Sequence, residues 1–183
     1  MGAAPFRFDS EGKPRMPAPQ HTTTRTVHVD AGTIDLTGED LVAEFEPEWA
    51  LNGLVEADPD DGSARILCGQ EIGRVAVTAQ LWDETPPLAV DGWQDVAEVP
   101  VSWDSAFIDF ATTGTEVDPA GRLDLPGPGD YRIRVHGRNR DDGDPRMAGD
   151  PVEEYLIQVW PAPAGGPELW KATSRTSARW RTP

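Results

Sequence analysis

The sequence predicts an all-β fold, an antiparallel β-sandwich of about eight or nine short strands with a flexible N-terminal arm and an irregular C-terminal tail. Three observations carry this. Eighteen glycines and eighteen prolines in 183 residues interrupt the chain too often for long helices. Apolar side chains recur with a period of two in segment after segment, the pattern of strands with one buried face. Turn residues separate those segments at short intervals, the spacing of a sandwich or barrel. The length suits one domain with a substantial core once the ends are set aside.

Residues 1–24 carry Pro5, Pro14, Pro17 and Pro19 among polar residues. They bury too little apolar surface to offset their ordering entropy, so a flexible arm is expected. The sandwich domain is expected over residues 25–160. It opens with Arg25–Val29, turns at Ala31-Gly32 and continues through Thr33–Leu36 as a first hairpin. Thr37 with Asp40 three residues later, ahead of Leu41, Val42 and Phe45, forms a loose capping-box pattern for one short helix. Arg65–Gly69 and Arg74–Trp82 follow as strands; in the second, Val75, Val77, Ala79 and Leu81 share a face. Trp93–Trp103 alternates again, with Asp95, Ala97, Val99 and Val101 on one parity and Val96 and Glu98 on the other. Phe107–Phe110 is a further short strand.

The strongest pattern runs from Leu123 to Val135, where Pro126-Gly127-Pro128-Gly129 separates two alternating runs and predicts a hairpin. Tyr131, Ile133 and Val135 fall on the buried face, with Arg132, Arg134 and His136 on a wet one. Tyr155, Ile157 and Val159 repeat the alternation in a third strand of the same sheet, where Glu154 can oppose an arginine across strands. Residues 161–183 are expected to be a Pro/Gly-rich linker and a tail partly docked on the sandwich, because an exposed indole such as Trp170 is unfavourable.

Charge is the most pronounced feature. Thirty-two acids against sixteen bases give a formal net charge of −16 and a pI near 4.4. That repels nucleic acid and anionic membrane, and it suits a basic protein partner or simple solubility. Eleven acids and no Lys or Arg lie between Asp30 and Asp61. Glu44, Glu46, Glu48, Glu56, Asp58, Asp60 and Asp61 from that run are the candidate partner-binding residues. The mixed loop that holds Arg138, Arg140, Asp141, Asp142 and Asp144 is the secondary candidate, since long loops inside compact domains tend to be functional.

Catalytic chemistry finds no footing. The three histidines, His21, His28 and His136, are too scattered to predict a triad or a zinc site, and His136 reads as a strand-end surface residue. Ser102, Ser105 and Ser174 lack a nucleophile-elbow context. Gly127-Pro128-Gly129 has proline where a phosphate loop needs free N–H groups. The acids around Asp58–Gly62 lack the alternating ligand spacing of an EF-hand. Cys68 stands alone, so neither an internal disulfide nor a cysteine metal site is available. No catalytic residue, metal or cofactor is therefore expected, and the lack of a signal-like or membrane-spanning apolar run points to the cytoplasm. The oligomeric state is not legible in the sequence.

The block Tyr131-Arg132-Ile133-Arg134, Arg138, Asp141, Tyr155–Pro163, Thr173-Ser174 and Trp180 resembles a family of small uncharacterised actinobacterial proteins. The order of strand, Leu123-Asp124-Leu125-Pro126, Gly129-Asp130-Tyr131, strand is more distantly similar to the competence protein J family of acidic cytosolic nuclease inhibitors. That resemblance implies a partner-binding inhibitor but assigns no inhibitory residue. Charge and resemblance together lead to one expectation: a non-enzymatic protein-binding module, an inhibitor or immunity factor for a basic, nuclease-like partner. The alternatives are a β-sandwich that binds a small molecule or carbohydrate in a tryptophan-lined cleft, and a hydrolase whose site the sequence does not display.

Overall fold

A computed structural model of the chain describes residues 17–39, 45–58, 62–111, 121–142 and 151–181. Eleven strands are found among them: β1 His21–Val29, β2 Thr33–Thr37, β3 Val55–Ala57, β4 Ala64–Leu67, β5 Gly73–Leu81, β6 Asp95–Trp103, β7 Phe107–Ala111, β8 Leu123–Asp124, β9 Gly129–Arg138, β10 Glu154–Pro161 and β11 Glu168–Ala172. Among the described residues one short helix, α1, covers Arg175–Trp180. A six-stranded sheet runs in the order β1-β5-β10-β9-β6-β11 and a five-stranded sheet in the order β3-β4-β2-β7-β8. The inner faces of the two sheets share one apolar core.

The period-two reading of individual strands holds. Val75, Val77, Ala79 and Leu81 of β5, Ile133 and Val135 of β9, and Ile157 and Val159 of β10 all point into the core. From the second sheet, Ile34, Leu36, Ile66, Ile108 and Phe110 meet them, each fully buried. Each such side chain contributes on the order of 1.5–3 kcal/mol by leaving water.

Pairing is where the structure departs from expectation. The two hairpins inferred from sequence are not hairpins: β1 and β2 lie in different sheets, joined only by the bridge Asp30–Thr33, and β8 pairs with β7 while β9 pairs with β6 and β10. Alternation cannot distinguish neighbours that bond side by side from neighbours that face each other across a core, because both bury every second residue. The six-stranded sheet is also mixed rather than antiparallel. β10 runs parallel to β5, from Glu154 opposite Ala76 to Val159 opposite Leu81, an arrangement the intervening strands allow by acting as the crossover.

The ends differ as well. β1 starts at His21, four residues inside the segment expected to be a free arm, and Gln20 N–H donates to Leu81 O at 2.7 Å. The tail is not irregular: β11 extends the six-stranded sheet antiparallel to β6 with a bulge between Leu169 and Lys171. Ser174 then caps α1, its hydroxyl accepting from Ser177 N–H at 2.9 Å. Thr37, proposed as a helix cap, closes β2, and residues 40–44 of that expected helix lie outside the described residues.

The outer face of the six-stranded sheet is exposed along β1 but covered over β9. Arg134 and His136 are buried beneath the segment 85–93 and the returning tail. Arg134 donates to Pro86 O at 3.1 Å, and the Trp93 ring lies 5.4 Å from that of His136. His136 is thus a covered mid-strand residue rather than a surface one. Burial is the main cause that lowers its pKa to about 4, with the Arg134 charge adding to it against a hydrogen bond to Leu156 O.

Candidate functional site

The segment 45–58 is shaped by its own side chains. Trp49 takes a left-handed backbone conformation, φ 57°, and its carbonyl accepts from Gly53 N–H at 2.8 Å. Asn52 then organises the turn: its Oδ1 accepts from Leu54 and Val55 N–H at 2.8 and 2.9 Å, while its Nδ2 donates to Val55 O at 2.9 Å. Gly53 is required, with φ 63° and a Cβ position only 2.8 Å from Ser177 O. The turn therefore rests directly on α1, and Ser177 Oγ donates to Asn52 O at 3.1 Å.

This turn and β3 wall a cavity of about 440 Å³ lined by Glu46, Glu48, Glu56 and Asp58 together with apolar Phe45, Leu51, Val99, Pro100 and Pro167. Four of the seven residues singled out from the acidic run thus converge on one concavity. Glu44, Asp60 and Asp61 lie outside the described residues. Glu56 Oε2 accepts from Glu48 N–H at 2.8 Å. Partial burial raises the Glu56 pKa, hydrogen bonds from the Glu48 and Trp49 N–H groups oppose the rise, and the neighbouring Glu48 charge adds to it. Among the described residues no ion pair joins Glu46, Glu48 or Glu56 to a basic side chain. Arg65, opposite Glu56 in the β3–β4 register, donates to Asp35 Oδ1 at 2.8 Å and Phe45 O at 3.1 Å. Leu51, 64% exposed, stands at the rim. A pocket with carboxylates and apolar walls suits a cation on an aliphatic stem, the shape of Lys and Arg.

The secondary loop divides. Arg140 is fully buried: its guanidinium donates to Asp95, to Gly53 O at 3.0 Å and to Leu67 O at 2.7 Å. Arg138 pairs with Glu154 across strands at 2.5 Å, the cross-strand match expected for Glu154, and covers the Trp93 ring at 4.9 Å. Asp141 accepts from Arg175 N–H, Thr176 N–H and Thr176 Oγ1 at 2.9–3.0 Å. Burial raises its pKa, but these bonds outweigh it and the net direction is down. Asp142 is exposed and Asp144 lies outside the described residues. Arg140 and Asp141 hold the tail in place, while Arg138 is paired with Glu154 with 42% of its side chain exposed.

Sequence reasoning missed two polar groups. The first joins Asp95, Arg140 and Ser174, with Glu153 beside it taking Gly69 and Gln70 N–H at 2.6 and 2.9 Å and the Tyr155 hydroxyl. Its legible signal was Asp95 on the apolar parity of β6, where a buried carboxylate must find partners. The second sits on the outer face: Glu98 accepts from Arg132 at 2.9 Å, Arg134 at 2.6 Å and Trp170 Nε1–H at 3.1 Å. The indole donates this one bond to the sheet while Trp170 stays 44% exposed. The Cys68 thiol is buried, and burial, reinforced by the Glu153 charge, pushes its pKa well up, which removes it as a nucleophile.

No protein-family model and no curated protein matches the sequence. Two solved structures share the fold. ComJ from Bacillus subtilis, an inhibitor of the DNA degrading activity of NucA, superposes with a TM-score of 0.55 at 14% identity, over 81% of this chain and 100% of its own. The protein described as crocagin biosynthetic gene J superposes with a TM-score of 0.50 at 14% identity, over 78% of this chain and 98% of its own. The distant likeness to the competence protein J family, first visible around Leu123–Tyr131, therefore extends to the architecture of most of the chain.

Proposed function

We propose that the chain is a non-enzymatic inhibitor or immunity factor that binds a basic, nuclease-like protein through the acidic cavity of Glu46, Glu48, Glu56 and Asp58. One observation carries this reading: four carboxylates surround an apolar-walled concavity, and Glu46, Glu48 and Glu56 have no basic partner among the described residues. Like charges held this close repel one another, so the fold tolerates an electrostatic cost that a cationic partner removes. A basic side chain of the partner enters with its stem against Leu51 and Phe45 and its charge among the carboxylates. The inhibitor named among the proteins of the same fold supports the class, while the partner's identity rests on charge alone. The partner is expected in the cytoplasm.

Capture of the partner on the immobilised chain, followed by a DNA degradation assay with purified partner, tests the proposal. The expected result is a basic nuclease whose activity is titrated to zero at equimolar inhibitor, with protection lost on joint Glu46→Gln and Glu48→Gln substitution. A captured partner without nuclease activity refutes the nuclease part, and full protection by the substituted chain refutes the site.

A further inference from the structure

A second concavity lies on the opposite face of β6. It encloses about 550 Å³ between the outer face of the six-stranded sheet and the segment 162–168, walled by Leu88, Trp160, Trp170 and Pro163 with Arg132 and Arg134 at its base. Leu88 and Trp170 are 43% and 44% exposed, so the apolar wall is open to solvent. Arg134 covers the buried Trp160 ring at 5.0 Å.

The hydrogen-bond inventory decides what this cleft can take. Both oxygens of Glu98 are occupied, Oε1 by Arg132 and Oε2 by Arg134 and Trp170, so the buried carboxylate has little capacity left for a ligand hydroxyl or ammonium group. Trp170 Nε1–H is spent on the same contact. The arginines are not exhausted. Arg134, only 2% exposed, uses Nε and Nη1, and its Nη2 has no hydrogen-bond partner among the described residues. Arg132 uses Nε and Nη2, and its Nη1 likewise has none. What remains is unused guanidinium donor capacity beside an aromatic wall, the two arginine charges being formally balanced by Glu98 and Glu168. Glu168 is the weaker of the two carboxylates, pairing with Arg132 Nη2 at 3.6 Å with its side chain 50% exposed.

We infer that this cleft binds a small organic acid, its carboxylate on the free guanidinium nitrogens of Arg132 and Arg134 and its planar apolar body against Trp170 and Leu88. Charge-assisted bonds from arginine to a carboxylate are among the stronger polar contacts, and the indole supplies the matching apolar surface. A neutral sugar is disfavoured, since it needs acceptors that Glu98 has already committed. The site is independent of the acidic cavity and stands or falls separately.

Titration of the full chain with indole-3-acetate and indole-3-acetamide, followed by calorimetry and by the tryptophan indole N–H signals in heteronuclear NMR, tests the inference. The acid is expected to bind saturably at one site and shift the Trp170 signal, with the amide about ten- to hundredfold weaker, the worth of a charge-assisted bond. Arg132→Gln is expected to weaken the acid by a similar factor. Glu168→Gln is expected to tighten it by removing the competing carboxylate, a gain that a folding defect does not mimic. Equal affinity for acid and amide, an unchanged affinity in Arg132→Gln, or no saturable binding overturns the proposal; inorganic phosphate binding as tightly as the acid overturns the role of the apolar wall.

Discussion

Asp95 of β6 and Arg140 of the loop after β9 form an ion pair in which neither side chain reaches solvent. The same carboxylate accepts from Thr173 N–H at 2.8 Å and Ser174 N–H at 3.0 Å, and the same guanidinium reaches Gly53 O and Leu67 O. One buried contact thus ties the tail, the β4 end and the turn beneath the acidic cavity to a single point. Buried pairs stabilise little relative to apolar isosteres, but a lone buried charge is costly. Asp95→Ala is therefore expected to lose ~3–5 kcal/mol in chemical denaturation, with Asp95→Leu/Arg140→Met recovering much of it. A loss below about 1 kcal/mol from Asp95→Ala would contradict the placement of the pair.

Ser174 works at the same junction, as the α1 cap and as a donor to Asp95. Ser174→Ala removes both bonds and is expected to cost ~1–2 kcal/mol. Denaturant midpoints of the two chains measure it, with the slope of the transition unchanged.

His136 gives the fold an acid limit. Its pKa is lowered from 6.5 to about 4 because burial disfavours the charged ring. The unfolded chain takes up the proton first, so the contribution of neutral His136 is full above pH 6.5 and is lost as pH falls from there towards 4. The whole window is worth about 3 kcal/mol at its limit. His136→Asn is expected to flatten the fall in stability between pH 6.5 and 4 relative to the parent chain, and identical profiles would show that His136 does not titrate in this way.

Ile133 lies at the centre of the six-stranded sheet with no exposed surface. Ile133→Ala is expected to cost ~2–5 kcal/mol through lost transfer energy and the residual cavity. Thermal and chemical denaturation check it.

Much of this core was legible because Val75, Ile133 and Ile157 obey a local rule, the two-residue period of a strand. What the period could not convey was which strand lies beside which. Leu123 and Tyr131 read as two arms of one hairpin, yet they bury into the same core from opposite sheets. Arg134 and His136 read as wet because alternation reports one face as apolar and is silent on whether later segments cover the other. Cover came from Pro86–Trp93 and from a tail whose proline content masked the strand at Glu168–Ala172. The acidic cavity was legible as charge density at Glu46, Glu48, Glu56 and Asp58. Its apolar wall was not, since Val99, Pro100 and Pro167 arrive from distant parts of the chain.

Whether the acidic cavity meets a basic partner is read from the association rate constant as a function of ionic strength. Charge steering is screened over ~8–10 Å at physiological salt, so the rate should fall steeply as salt is raised. With Glu46→Gln, Glu48→Gln, Glu56→Gln and Asp58→Asn combined, slower association at low salt, a flattened salt dependence, and a folding stability unchanged or slightly raised are expected. An association rate and salt dependence equal to those of the parent chain, with the fold intact, would contradict the proposal.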